Sequence, residues 1–87
     1  MSLILRPDVS VAETEDGAVL LDEVTGRYWQ LNRTAAFILR ALRDGATQEQ
    51  TAGRLRERHP ALPADRAADD VASFVDALAE ARLVAPA

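Results

Sequence analysis

An α+β domain is the fold class this sequence predicts, and three observations carry the prediction. The first third holds three short β-prone runs separated by polar turn signals, and the remainder holds three helical patterns with start or stop residues of their own. Strands come before helices rather than alternating with them, which favours a small antiparallel sheet with helices gathered against it. At 87 residues the chain, read as one domain over 1–87, has material for one modest core.

Leu3 to Arg6 reads as a loose or edge-pairing arm, stopped by Pro7, which has no amide hydrogen for a ladder. From 8 to 12, Val9 and Val11 alternate with Ser10 and Ala12, the period of a half-buried strand. Glu13 to Gly17 is a polar turn in which Gly17 can take a positive φ. Residues 18–22 make the second strand and 27–31 the third, with Gly26 marking the hairpin between them. The hairpin register has two solutions. A three-residue loop, Val24 to Gly26, opposes Leu21 with Trp29 and Val19 with Leu31; it makes Val19, Leu21 and Leu31 scaffold and turns Leu20, Tyr28 and Gln30 outward. A four-residue loop pairs Leu21 with Tyr28 and reverses every facing on the second strand.

Asn32 can cap the helix that follows, 33–43, in which Ala35, Ile38, Leu39 and Leu42 fall at helical spacing beside Phe37. Asp44-Gly45 ends it. Thr47 with Gln50 is a capping-box pattern opening a second helix, 47–58, with only Ala52 and Leu55 as apolar residues; Pro60 stops it. After the linker Ala61-Leu62-Pro63, a third helix over 64–82 carries the stripe Ala67, Val71, Phe74, Val75 and Leu78, with Asp69, Asp70, Asp76 and Glu80 away from its centre. Leu83 to Ala85 is expected to pack back on the core and Pro86-Ala87 to fray.

Enzymatic chemistry finds no constellation here. There is no cysteine, so neither a thiol nucleophile nor a disulfide framework is available. Ser2, Ser10 and Ser73 lie in no nucleophile motif, and the single histidine, His59, sits at a helix end beside Pro60, where an imidazole serves as a cap. Asp69 and Asp70 are adjacent on a helix and point apart, whereas a hard cation wants converging oxygens. The four glycines are spread singly and build no phosphate cradle. The reading is therefore no catalytic residues, no metal and no cofactor. No signal-peptide core and no membrane span is present in the sequence, so a cytoplasmic protein without a membrane partner is expected.

Two classes of partner remain. Strands plus helices of this size also build winged helix-turn-helix domains, so a DNA-binding regulator is the alternative. Charge placement argues against nucleic acid: the net charge is −4, and residues 61–87 carry two arginines against five acids, in the helix that would do the reading. Peptide binding fits better. The third strand lies at a sheet edge, its unpaired backbone groups can accept an extended peptide, and Trp29 with Val71, Phe74 and Val75 can line a groove. That Trp29 and Phe74 simply meet in the core is compatible with this, since the floor of a groove is also core.

Val19-Leu20-Leu21-Asp22, Thr25-Gly26-Arg27-Tyr28-Trp29-Gln30-Leu31-Asn32, Ala35-Ala36, Ile38 and Asp44-Gly45 together resemble the PqqD-like family of small winged-helix precursor-peptide recognition elements. The resemblance covers nearly the whole chain. Within the family it is most similar to the leader-binding proteins of lasso-peptide pathways, with PqqD-type chaperones more distant. It implies a non-catalytic protein that takes the leader of a ribosomally made precursor as an added strand on the third strand, against the third helix, and presents it to a separate leader peptidase and a cyclase. The implied peptide-binding residues are Arg27, Tyr28, Trp29, Gln30 and Leu31 on the strand, and Asp69, Val71, Ala72, Ser73, Phe74, Val75 and Asp76 on the helix. An acidic helix suits a leader with basic residues.

Overall fold

In the computed structural model, which describes residues 3–85, three strands precede three helices. The strands are β1 (Val9–Thr14), β2 (Gly17–Asp22) and β3 (Tyr28–Asn32), and the helices α1 (Arg33–Arg43), α2 (Gln48–Arg58) and α3 (Ala64–Glu80). Met1-Ser2 and Pro86-Ala87, the latter expected to fray, lie outside the described residues. The sheet is an antiparallel meander of order β1-β2-β3, so β3 is an edge, as expected.

Local chemistry explains each boundary. Asn32 caps α1 by accepting from the Ala35 amide at 2.8 Å. The helix ends in a Schellman turn: Gly45 takes φ 100°, its amide reaches Leu42 O, and the Ala46 amide reaches Ala41 O. Thr47 and Gln50 form the reciprocal capping box at 2.9 and 3.0 Å. The third helix ends two residues earlier than expected. Arg82 enters the left-handed region at φ 58° and closes a second Schellman turn through the Leu83 amide to Leu78 O. His59 caps α2 with its backbone amide, which donates to Leu55 O, so the expected imidazole cap is replaced by a main-chain one.

The core has two parts that share Leu3 and Phe74 at their margin. Ile38, Leu42, Ala52, Leu55, Ala67 and Val71 pack among the helices. Val9, Leu20, Leu39, Leu78 and Leu83 join the sheet to α1 and the C-terminal segment, with Trp29 and Leu31 against them. The arm at Leu3 to Arg6 pairs with the returning C-terminus rather than with the sheet edge: Leu5 bridges Val84, and the Ala85 and Arg6 amides donate to Ile4 O and Leu83 O.

The register corrects the shorter-loop reading. Leu20 opposes Trp29, Leu21 opposes Tyr28 and Val19 opposes Gln30, so Ala18, Leu20 and Asp22 face the core while Val19 and Leu21 face outward. Leu20 is fully buried and Leu21 is 38% exposed, the reverse of what a three-residue loop requires. Trp29 and Leu31 face inward and Gln30 outward as expected, and Tyr28, whose facing depended on the loop length, faces outward. The outward row of the sheet is Ser10, Ala12 and Thr14 on β1, Val19 and Leu21 on β2, and Tyr28 and Gln30 on β3. No helix packs on it.

Gly17 is required where the hairpin of β1 and β2 meets the start of α1. Its φ is 152°, and a Cβ there would stand 1.9 Å from the carbonyl oxygen of Leu31. Because the obstruction is backbone, Gly17→Ala is expected to destabilise the fold by about 2 kcal/mol or more in urea unfolding.

Candidate peptide-binding site

The site is built from the free edge of β3 and the flank of α3. Its strand is placed by the loop Glu23 to Gly26, and that loop is organised by Asp22. The Asp22 carboxylate accepts from the Val24 and Thr25 amides at 3.0 and 3.3 Å and from the Arg6 guanidinium at 2.7 Å, while Gly26, at φ 78°, donates to Asp22 O. These bonds hold a four-residue loop and therefore the register of β3.

Asp22 is 4% exposed. Burial pushes its carboxyl up, but the two amide bonds and the charge and hydrogen bond of Arg6 outweigh it and hold the pKa below the ordinary value. A lowered carboxyl stabilises the fold above its unfolded pKa of about 4, and the contribution is lost as pH falls through the folded value. Asp22→Asn is therefore expected to lower Tm at pH 7 and to flatten the decline of Tm below about pH 4, read by thermal melts across pH.

The Asp22 amide donates to Arg27 O, which fixes the alternation of the ladder. Arg27, Trp29 and Leu31 direct their backbone groups toward β2, and Tyr28 and Gln30 direct theirs to the free edge. Of the strand residues expected at the site, Tyr28 and Gln30 thus offer main-chain partners, and Arg27, Trp29 and Leu31 offer side chains on the inner face. The Arg27 guanidinium lies 5.3 Å from the centre of the half-buried Trp29 ring.

Across from this edge runs α3. No Cα of β3 comes within 8 Å of one in α3, while α1 packs on both. Trp29 and Leu31 of β3 and Phe74 of α3 are all half-buried and pack against the same sheet-side core. The two elements run antiparallel: Thr34, just past β3, shares a cavity with Arg66 and Asp70 near the start of α3, while Leu78 and Ala81 at its end lie in the cluster with Leu20 and Trp29. That cavity is about 490 Å³, and Leu55, His59, Ala61, Leu62 and Pro63 also line it.

The helix residues expected at the site divide by rotation about the axis. At 3.6 residues per turn, Phe74 shares a flank with Asp70, Ala77 and Ala81, and Phe74 and Ala81 turn that flank to the sheet-side core. Asp69, Ser73 and Asp76 fall at i, i+4 and i+7 on one exposed ridge, while Ala72 and Val75 lie on the far side, where Val75 packs only with the helical part of the core. Val71 is completely buried and supports the wall from beneath. Sequence reasoning missed Asp70 and Ala77 as wall residues. Phe74 alone, at the centre of the stripe, gives no sense of which flank meets the sheet. Among the described residues no group of three His, Asp or Glu could hold a metal ion, and no helix is long and apolar enough to cross a membrane.

Comparison with known proteins finds the same architecture in peptide-bound form. The family model for coenzyme PQQ synthesis protein D (PqqD) matches residues 17–84. A solved lasso peptide synthetase B1, complexed with its leader peptide, is 40% identical, with a TM-score of 0.92 over 99% of this chain and 100% of that one. A second structure, TbiB1 in complex with the TbiA(beta) leader peptide, is 24% identical at a TM-score of 0.86 over 97% of this chain and 96% of that one, a likeness of fold. No curated protein gives a significant match.

Proposed function

The chain belongs to the PqqD family, and from that premise we propose that it binds the leader peptide of a ribosomally synthesised lasso-type precursor and holds it for other enzymes. The observation that carries the reading is the unpaired edge of β3, with half-buried Trp29, Leu31 and Phe74 on the core beside it, in a chain 40% identical over 99% of its length to a leader-bound protein. The leader adds as a fourth strand through the backbone of Tyr28 and Gln30, and its inward side chains settle on Trp29 and Phe74. Where the strand runs past Asn32, its next side chains reach the cavity of Thr34, His59, Arg66 and Asp70.

Acidic character near the groove enters through Asp70 beside Phe74, with Asp69 and Asp76 on the exposed ridge next to that flank. On this reading cleavage and ring closure belong to a separate leader peptidase and a cyclase. Their substrate is the precursor held here.

Titration with a fluorescein-labelled leader peptide tests the site. Trp29→Ala, shown folded by circular dichroism, is expected to raise Kd by about tenfold or more, as loss of a central aromatic anchor does. For a leader with basic residues, Asp70→Lys is expected to raise Kd several-fold and Asp76→Lys by less, with the difference shrinking at high salt. Unchanged affinity in a folded Trp29→Ala protein would remove the groove from the site. A second check is mass spectrometry of precursor incubated with the purified chain alone: the precursor is expected to remain intact, and cleaved or cyclised product would overturn the non-catalytic assignment.

A further inference from the structure

Arg27 is a cation whose cross-strand acid is already taken. Its carbonyl oxygen accepts from the Asp22 amide, so the two residues stand opposite one another where the ladder runs into the loop. The Asp22 carboxylate, however, is filled by the Val24 and Thr25 amides and by Arg6. Among the described residues no carboxylate forms an ion pair with the Arg27 side chain, which is exposed. The guanidinium lies over the Trp29 ring instead, 5.3 Å from its centre. A ring holds a guanidinium by its flat face and leaves the donors at its edge free for a carboxylate.

Position on the strand gives that free charge a meaning. Arg27, Trp29 and Leu31 are every second residue and share the inner face. Residues directly opposed on neighbouring strands send their side chains to the same face. The leader residues beside these three therefore turn inward with them, whichever way the peptide runs. Trp29 and Leu31 are half-buried against the core and take apolar neighbours. Arg27 takes an anion, and a cation set beside it is repelled. Past Asn32 the charges are mixed, since Arg66 and Asp70 line one cavity with Thr34.

Apolar contacts alone leave an added strand free to slip. A shift of two residues keeps every side chain on its face, and Trp29 and Leu31 each accept one apolar side chain as readily as the next. The same shift takes an acid away from Arg27 or carries it onto Trp29. We propose that Arg27 reads an acidic side chain of the leader, two residues along from the one seated on Trp29, and so fixes the register of the added strand. The proposal rests on the leader-binding reading above, to which it adds the chemistry of one leader position.

The probe is the fluorescein-labelled leader of the precursor encoded with the chain, with each residue replaced in turn by Ala, Glu and Lys. The leader residue seated on Trp29 is the one whose Ala replacement weakens binding to wild type and not to Trp29→Ala. Two residues from it, on one side, Glu is expected to bind wild type about fivefold or more tighter than Lys at low salt, a preference that shrinks at high salt. Arg27→Glu, with the circular dichroism spectrum of wild type, is expected to reverse that preference, and Arg27→Gln to erase it. A folded Arg27→Glu protein that keeps the wild-type preference there would overturn the proposal, as would a reversal found only at some other spacing from the Trp29 position. Equal weakening of the whole peptide set by both variants would also overturn it, leaving Arg27 only a cover for the Trp29 ring. If Arg27→Glu does not fold, Arg27→Gln decides: a lost preference supports the proposal and a retained one overturns it. Failure of wild type to bind the unsubstituted leader would appear before any variant is compared and would overturn the leader-binding reading, and this proposal with it.

Discussion

The carboxylate of Asp22 is the constraint on which the rest of the site depends. By accepting from two amides of the loop and from Arg6, it sets the loop at four residues. Loop length then sets register, because moving a strand by one residue exchanges its two faces. That register is what buries Leu20 opposite Trp29, exposes Leu21 opposite Tyr28, and aims the backbone groups of Tyr28 and Gln30 at open edge. One ionised side chain thus decides which residues are core, which line the groove and which form the outer face. Arg6 ties the same carboxylate to the arm whose other end, at Leu3, packs beside Phe74, so the hairpin and the floor of the groove are held by one short segment.

What the sequence discloses and what it conceals divide along range. The helix caps at Asn32 and Thr47 and the stop at Gly45 are interactions over three to five residues, and each was legible because both partners stand close together in the chain. The hairpin register was not, since Val24-Thr25-Gly26 serves a three-residue loop as well as the last part of a four-residue one. The bonds that hold the longer loop converge on Asp22, from the Val24 and Thr25 amides and from Arg6, sixteen positions away. Val19 and Leu21 read as core because they are as apolar as Ala18 and Leu20, and hydrophobic pattern cannot separate faces when four successive residues are all apolar. The third helix shows the same limit. Its buried stripe is plain in the spacing, yet which flank meets the sheet depends on the docking of the helix, so the spacing does not say whether Asp70 on one side of Phe74 or Val75 on the other stands nearer the sheet.

Core and groove share side chains, and this has an energetic consequence. Trp29, Leu31 and Phe74 are partly buried before any peptide arrives, and each packs on residues that hold the fold together. Their rotamers are already restricted, so little side-chain entropy remains to be lost on binding. The cost is that a change at Trp29 acts on stability and on affinity together. Val71 marks the limit of this sharing: fully buried among Ile38, Leu42 and Leu55, it shapes the wall without a surface of its own.

Backbone pairing alone cannot account for a useful complex at this edge. Tyr28 and Gln30 offer one donor and one acceptor each, and a hydrogen bond exchanged with water contributes about 1 kcal/mol net. A micromolar complex needs about 8 kcal/mol beyond the cost of association. The remainder has to come from side chains entering the gap between β3 and α3 and the cavity beyond Thr34. An edge this short also lowers the hazard that unpaired strands carry, since two residues template little wrong pairing. On the proposed mode of binding, the same brevity makes the strand a register guide and leaves affinity and selectivity to side-chain contacts such as those at Trp29 and Phe74.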